Sequence, residues 1–229
     1  MNSDETKSAA PMYQETLTFL RRHDEDESVS TYFFTPMHPV PFVAGYYTHL
    51  RLLNMPAGRG SVRELSFASA PGEPEVRFGV DGRSGSDFQK ALKALVRGDT
   101  VEIFKMRGHM TWPPPVDDVV MIAGGVGVTP FRSMLVDARA RGLAIRTTLV
   151  QVSSDSFLYA DELRRLAHEH LTIGRSLIAD TLTHLVAERP GAHYYLAGSS
   201  GFVTTIAQEL SKKGITRIES DEFKGLESD

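Results

Sequence analysis

The rhythm of hydrophobic and polar positions changes once along this chain, near its midpoint. Before that point, segments rich in Thr, Tyr, Phe and Val recur at short intervals: Glu15 to Leu20, Ser30 to Thr35, Tyr46 to Leu53, Glu64 to Ser69, Val76 to Val80 and Thr100 to Lys105. Turn-forming clusters separate them, among them Met55-Pro56-Ala57-Gly58 and Pro71-Gly72-Glu73-Pro74. Short strands so spaced predict an antiparallel barrel or sandwich. One helix interrupts the series: Ser86 stands at an N-cap position, Phe88, Ala91, Leu92, Leu95 and Val96 recur at helical spacing, and Gly98 lies beyond the end.

Trp112-Pro113-Pro114-Pro115 can continue neither a helix nor a central strand, and the pattern after it alternates strand with helix. Val119 to Ala123 is a continuous apolar run, as a strand buried on both faces requires. Phe131, Met134, Leu135 and Ala138 then mark a helix face that closes near Gly142. Further strands are expected at Ile145 to Val152, His170 to Ile173, Tyr194 to Ala197 and Ile215 to Ile218, with Phe202, Ile206 and Leu210 patterning a late helix. That order predicts an open parallel sheet covered on both faces. The expected division is a polar, unstructured leader over 1–11, a first domain over 12–112 and a second over 113–229.

Composition removes several function classes. A formal net charge of -4 argues against a sequence-independent nucleic-acid binder. No apolar run has the length of a membrane span, and Met1-Asn2-Ser3-Asp4-Glu5-Thr6-Lys7 lacks the apolar core of a signal peptide, so a cytoplasmic location is the expectation. With no cysteine among 229 residues, the chain has no disulfide and no thiolate ligands for an iron–sulfur cluster, which would have to sit on a partner. No metal site is expected: His168-Glu169-His170, read as helical, points its histidines apart.

The strongest local signal is Gly124-Gly125-Val126-Gly127-Val128-Thr129-Pro130, between a buried strand and a helix. Glycines there let backbone amides approach a pyrophosphate, Thr129 can cap the helix and Pro130 suits its first position. A tight strand-to-helix turn without a ligand would use similar residues. The Gly-Gly-x-Gly-x-Thr-Pro form resembles the nucleotide-binding turn of the ferredoxin-NADP reductase family, and other segments agree with that family in order. Arg63-Glu64-Leu65-Ser66 resembles its flavin motif, with Leu65 where an aromatic residue is usual. Gly85-Ser86 resembles its second phosphate contact, although Ser86 would be an N-cap in any case. The stretch from Tyr194 to Val203 resembles its strand ending in Cys-Gly-Pro, with Ala197 and Ser199 at the cysteine and proline positions. The tail from Ser220 to Leu226 resembles the acidic residue, phenylalanine and glycine ending of related flavin reductases.

The resemblance implies an antiparallel Greek-key β-barrel that binds FAD, followed by a Rossmann-like α/β domain that binds NADH or NADPH as donor. It implies Arg63 on the FAD pyrophosphate, Ser66 near flavin N5 and Phe223 shielding the flavin face until nicotinamide displaces it. Glu64, Leu65, Tyr47, His49, Val80, Gly85 and Ser86 are expected around FAD, with Gly125, Gly127, Thr129, Pro130, Ser153, Ser154, Arg175, Ala197 and Gly198 around the donor. Arg175 is the candidate for a 2′-phosphate contact, and the choice between NADH and NADPH stays open. Electrons would pass onward to a redox partner protein such as a ferredoxin. The alternatives are a reductase of free flavin, ferric chelates or quinones, and a non-catalytic flavin-binding electron-transfer or regulatory subunit.

Overall fold

The computed structural model describes residues 13–112 and 118–223. The expected leader, the prolines Pro113 to Pro115 and the tail beyond Phe223 lie outside the described residues. The strands β1 (Gln14–Asp24), β2 (Val29–Pro36), β3 (Tyr47–Leu52), β4 (Val62–Ser66), β5 (Val76–Asp81) and β6 (Thr100–Arg107) form one antiparallel sheet in the order β4-β3-β6-β1-β2-β5. The sheet curls until β4 and β5 approach, giving a nearly closed barrel. Alternation along β1 sends Leu17 and Phe19 inward, where they meet Phe34, Phe67, Phe78 and Ile103. Helix α1 (Asp87–Lys93) plugs the barrel with Phe88 and Leu92, and the Ser86 hydroxyl caps it by accepting from the Gln89 amide.

α1 stops short of the sequence expectation, and Val96 is 65% exposed. The chain leaves the helix because backbone bonds join the turn at Gly98 and Asp99 to Phe19 of β1, and those ladder bonds replace another helical turn.

The second sheet is parallel, in the order β11-β10-β7-β8-β9, from β7 (Asp118–Gly124), β8 (Arg146–Val152), β9 (Glu169–Ile173), β10 (His193–Ser199) and β11 (Ile218–Phe223). The apolar run of β7 feeds two cores. Val119, Met121 and Ala123 face α2 (Val128–Arg141) and α3 (Ala160–Leu166), while Val120 and Ile122 face α4 (Ile178–Glu188) and α5 (Ser200–Lys212). Gly142 ends α2 in the left-handed conformation.

Three sequence expectations need correction here. The last strand begins at Ile218, not Ile215, because Gly214 and Ile215 close α5: the Ile215 amide returns to the Leu210 carbonyl and its side chain is buried beneath the helix. Helix α2 starts at Val128, since the 3-10 turn Gly125–Gly127 already winds the chain; Gly127 is therefore the N-cap, Thr129 donates to the Val126 carbonyl, and Pro130 is the third helical residue. Pro130 is tolerated there because amides in a first helical turn have no intrahelical acceptor. Finally, the expected strand from His170 to Ile173 is present as β9 and begins one residue earlier, so His168-Glu169-His170 is not helical, and the Thr147 amide donates to His168 Nδ1.

Candidate functional site

Ser66, the last residue of β4, is buried, and its hydroxyl donates to Asp221 of β11 at 3.4 Å. A barrel residue and a parallel-sheet residue 155 positions apart thus meet across the two halves of the molecule. Tyr47 sits opposite Ser66 in the ladder, and Asp221, Glu222 and Phe223 run beside Ala197, Gly198 and Ser199 of β10. The structure therefore brings together Ser66, Tyr47, Ala197, Gly198 and Phe223, all singled out in the sequence, around the carboxyl group of Asp221, which belongs to the tail motif but was given no role there.

Burial holds the Asp221 carboxyl above its ordinary value of 3.8; the Ser66 hydrogen bond opposes the rise and the Glu64 carboxylate reinforces it. The folded chain binds this proton more tightly than the unfolded chain. Stability from the group is therefore fully present below pH 3.8 and is lost as pH rises through the raised folded value. Asp221→Asn is expected to raise Tm at pH 7 and to leave it nearly unchanged at pH 4. Thermal melts at the two pH values check this, and an equal shift at both would show that ionisation is not the cause.

Arg63, at the other end of β4, lies over the Phe88 ring with its guanidinium carbon 4.8 Å from the centroid, which places it against the first turn of α1 near Ser86. Its Nη1 donates to the carbonyls of Val62 (2.6 Å), Gly60 (3.3 Å) and Arg59 (3.5 Å), and no carboxylate pairs with it among the described residues. Burial without a counter-ion lowers its affinity for the proton. A half-buried cation beside a helix N-terminus fits a diphosphate group. Glu64 and Leu65 fill β4 between these two ends, and Glu64 lies 3.2 Å from His49 Nε2. Burial lowers the pKa of His49 and raises that of Tyr47. Val80 and Gly85 line a groove of about 220 Å³ between β2 and α1, together with Tyr32 and Gln89.

On the parallel sheet, the glycine turn follows from close backbone approach. A Cβ on Gly127 would lie 2.2 Å from the Ala197 carbonyl oxygen, and one on Gly124 would strike the Phe202 ring at 2.9 Å. Gly125 adopts φ +55° with nothing within 4 Å of a Cβ, so its backbone faces open space at the start of α2. Ser153, next to this turn, donates its amide to Ile173 at the end of β9, two residues before Arg175. Ser153 and Arg175 thus share one corner of the sheet, Ser154 is exposed beside them, and Arg175 follows the edge strand β9, at the opposite side of the sheet from the Asp221 strand β11.

No protein-family model matches the sequence. The reductase component of phenol 2-monooxygenase from Pseudomonas sp. strain CF600 is 34% identical over 140 residues, 58% of this chain and 38% of that protein. The flavohemoprotein of Pseudomonas putida is 22% identical over 222 residues, covering 88% of this chain and 56% of the relative. The chain spans about half the length of the curated flavohemoproteins it matches. Among solved structures, a ferredoxin NADP+ reductase from Neisseria gonorrhoeae with bound FAD and NADP superposes with TM-score 0.77 at 18% identity, over 94% of this chain and 100% of that one. This chain has the ferredoxin reductase-like fold. The ferredoxin reductase in carbazole 1,9a-dioxygenase shares it with TM-score 0.80 and 18% identity, over 94% of this chain and 71% of that one.

Within this reductase-like fold, the sequence reading missed a polar seam between the halves. Arg132 of α2 is 1% exposed and bonds Glu73, Glu162 and the Ala68 carbonyl. Thr31 of β2 bonds the Tyr159 hydroxyl at 3.0 Å, and Ser156 bonds Asp26. Gly79 of β5 admits this seam, since a Cβ there would lie 2.7 Å from the Thr129 methyl and 2.9 Å from Leu158. The only local signal for the seam was an arginine within the continuous buried stretch 128–135, and such a residue reads from sequence as surface charge.

Proposed function

We propose that this chain is an NAD(P)H-dependent flavoprotein reductase with FAD on the barrel and the nicotinamide nucleotide at the glycine turn of the parallel sheet. The carrying observation is the convergence of Ser66, Tyr47, Asp221, Phe223 and the Ala197-Gly198 strand end on one cluster at the meeting of the two halves. Bound there, FAD would supply hydride acceptance and onward electron transfer, one or two electrons at a time.

The chain's residues divide the remaining work. Arg63, with Gly85 and Ser86 at the start of α1, holds the FAD diphosphate by charge and by amide donors. Ser66 offers a hydroxyl beside the reacting edge, oriented by Asp221, and Tyr47, His49, Glu64, Leu65 and Val80 shape the barrel wall. Gly125, Gly127, Thr129 and Pro130 shape the turn that receives the donor's diphosphate, with Ser153, Ser154 and Arg175 toward its adenosine end. Ala197 and Gly198 leave room for nicotinamide, and half-buried Phe223 keeps water from the flavin face until the donor arrives. The acceptor is a separate redox protein or a small molecule. The named roles of the relatives, as reductase components of multi-part oxygenases, support a protein acceptor.

An anaerobic visible spectrum of the FAD-supplemented protein, before and after NADH or NADPH, tests the reading. Bound flavin that bleaches with either nucleotide is the expected result. Bound flavin that bleaches with neither would favour an electron-transfer subunit, and no flavin binding at all would end the assignment.

A further inference from the structure

Arg132 makes a larger demand on its surroundings than any other side chain at the seam. Nε donates to Glu162 at 2.8 Å, Nη2 to Glu162 at 2.6 Å and to Glu73 at 3.1 Å, and Nη1 to Glu73 at 2.8 Å and to the Ala68 carbonyl at 2.6 Å. These contacts engage all five N–H donors of a guanidinium. The group also lies 5.5 Å from the Tyr159 ring centroid. Glu162 belongs to α3, in the same half as Arg132, whereas Glu73 and Ala68 belong to the barrel. Glu73 in turn accepts from the Ala70 amide at 2.7 Å, so one carboxylate gathers the loop that leaves β4 just after Ser66. On the other side, Arg132 stands five residues after Gly127, about 7 Å along the helix axis.

From this geometry we propose that Arg132, acting through Glu73 and Ala68, is a positioning residue for hydride transfer: it fixes the Ser66 end of β4 relative to the glycine turn of α2. The inference rests on the reductase reading above. One rigid planar fork joins the flavin-side strand to the donor-side turn, so the distance between the two reactants is set by a contact that touches neither. Misplacement of about 1 Å between reacting groups can cost on the order of 100-fold in rate. The fork cannot be replaced by an ammonium, which has three donors and no bidentate geometry.

The two carboxylates allow a test within one ion cluster. Glu73 crosses between the halves and is 17% exposed; Glu162 stays within one half and is 41% exposed. Glu73→Gln turns an amide toward a guanidinium N–H in a mostly buried site that Arg77 also shares at 3.2 Å, whereas the more exposed Glu162→Gln leaves water better able to replace the lost contact. The measurement is stopped-flow anaerobic reduction of FAD-loaded protein by NADH or NADPH, with dithionite reduction and FAD affinity as controls. A second readout uses the absence of native cysteines: spin labels at V96C and S211C, exposed positions on the two halves, report the inter-domain distance by pulsed EPR.

The expected result is that E73Q binds FAD and is reduced by dithionite like the parent, yet is reduced by the nucleotide about 10- to 100-fold more slowly, with a broadened spin-label distance. E162Q is expected to stay within about threefold of the parent on every readout, and R132K to follow E73Q. An E73Q protein with parental rate and distance distribution would overturn the inference, as would equal slowing in E73Q and E162Q. If the parent binds flavin and neither nucleotide reduces it, the reductase reading itself fails and the inference falls with it.

Discussion

Arg63→Ala is expected to weaken FAD binding by about 10- to 100-fold while leaving the fold intact. One charge-assisted hydrogen bond to a diphosphate is worth about 1.5–3 kcal/mol, and each 1.4 kcal/mol is tenfold in affinity. The folded chain should lose little hydrogen bonding, because the guanidinium donates to backbone carbonyls of its own turn, and the main structural cost is the partial uncovering of the Phe88 ring. Fluorescence titration of the apoprotein with FAD, beside a thermal melt, separates the two effects. Unchanged affinity would remove Arg63 from the site; a collapse of Tm without FAD would make it a structural residue. Arg63→Lys is expected to recover only part of the loss, since it restores the charge without the planar pair of donors.

Gly127→Ala is expected to be the most damaging single-methyl change in the parallel sheet. The new carbon would lie 2.2 Å from the Ala197 carbonyl oxygen and 2.8 Å from the Gly198 nitrogen, and both are backbone atoms of a central strand. Neither side can yield by a rotamer change, so the turn must move away from β10. Overpacking of this kind costs about 2 kcal/mol or more, which corresponds to a Tm lower by roughly 5 °C in a chain of this size. The displaced turn should also lose affinity for NAD+ or NADP+, measurable by calorimetry on the same sample. Gly125→Ala provides the contrast: its Cβ meets nothing, and the cost is confined to the left-handed backbone at φ +55°. Equal melting temperatures for the parent and Gly127→Ala would refute the close-packing account of this turn.

What the sequence revealed and what it withheld follow from the range of the interactions. The strands of the barrel and the buried run of β7 are written in neighbouring residues, because alternation and apolar continuity are local consequences of which faces are covered. The glycine turn was legible for the same reason: strand, glycines and helix adjoin. Its inner detail was not, since whether Thr129 or Gly127 caps α2 depends on a 3-10 turn that Ala197, seventy residues later, holds in place. The late strand was displaced by a helix cap at Gly214 that mimics the start of a strand in its apolar Ile215. Asp221 and Arg132 were the costliest omissions. Asp221 lies in a tail that resembles a family ending but was given no role there, Arg132 reads as ordinary surface, and each acquires its role from a contact across more than fifty residues: Asp221 with Ser66, Arg132 with Glu73.

The route by which the chain leaves the barrel has an implication for engineering. Met110 and Ala44 are barrel-side residues, yet they are buried in the core beneath the parallel sheet with Phe131 and Met134, and the Tyr195 hydroxyl donates to the Thr111 carbonyl at 2.6 Å. Gly45 is pressed so closely on this segment that a Cβ would lie 1.9 Å from the Met110 carbonyl oxygen. The proline-rich stretch after Trp112 looks in sequence like a natural place to cut. A fragment severed there would carry away apolar residues that complete its neighbour's interior, leaving one piece with a sticky flank and the other with a hole. Chimeras that exchange nucleotide-binding halves between reductases should therefore take the strip from Met110 to Trp112, and the surface around Ala44 that receives it, as part of the graft.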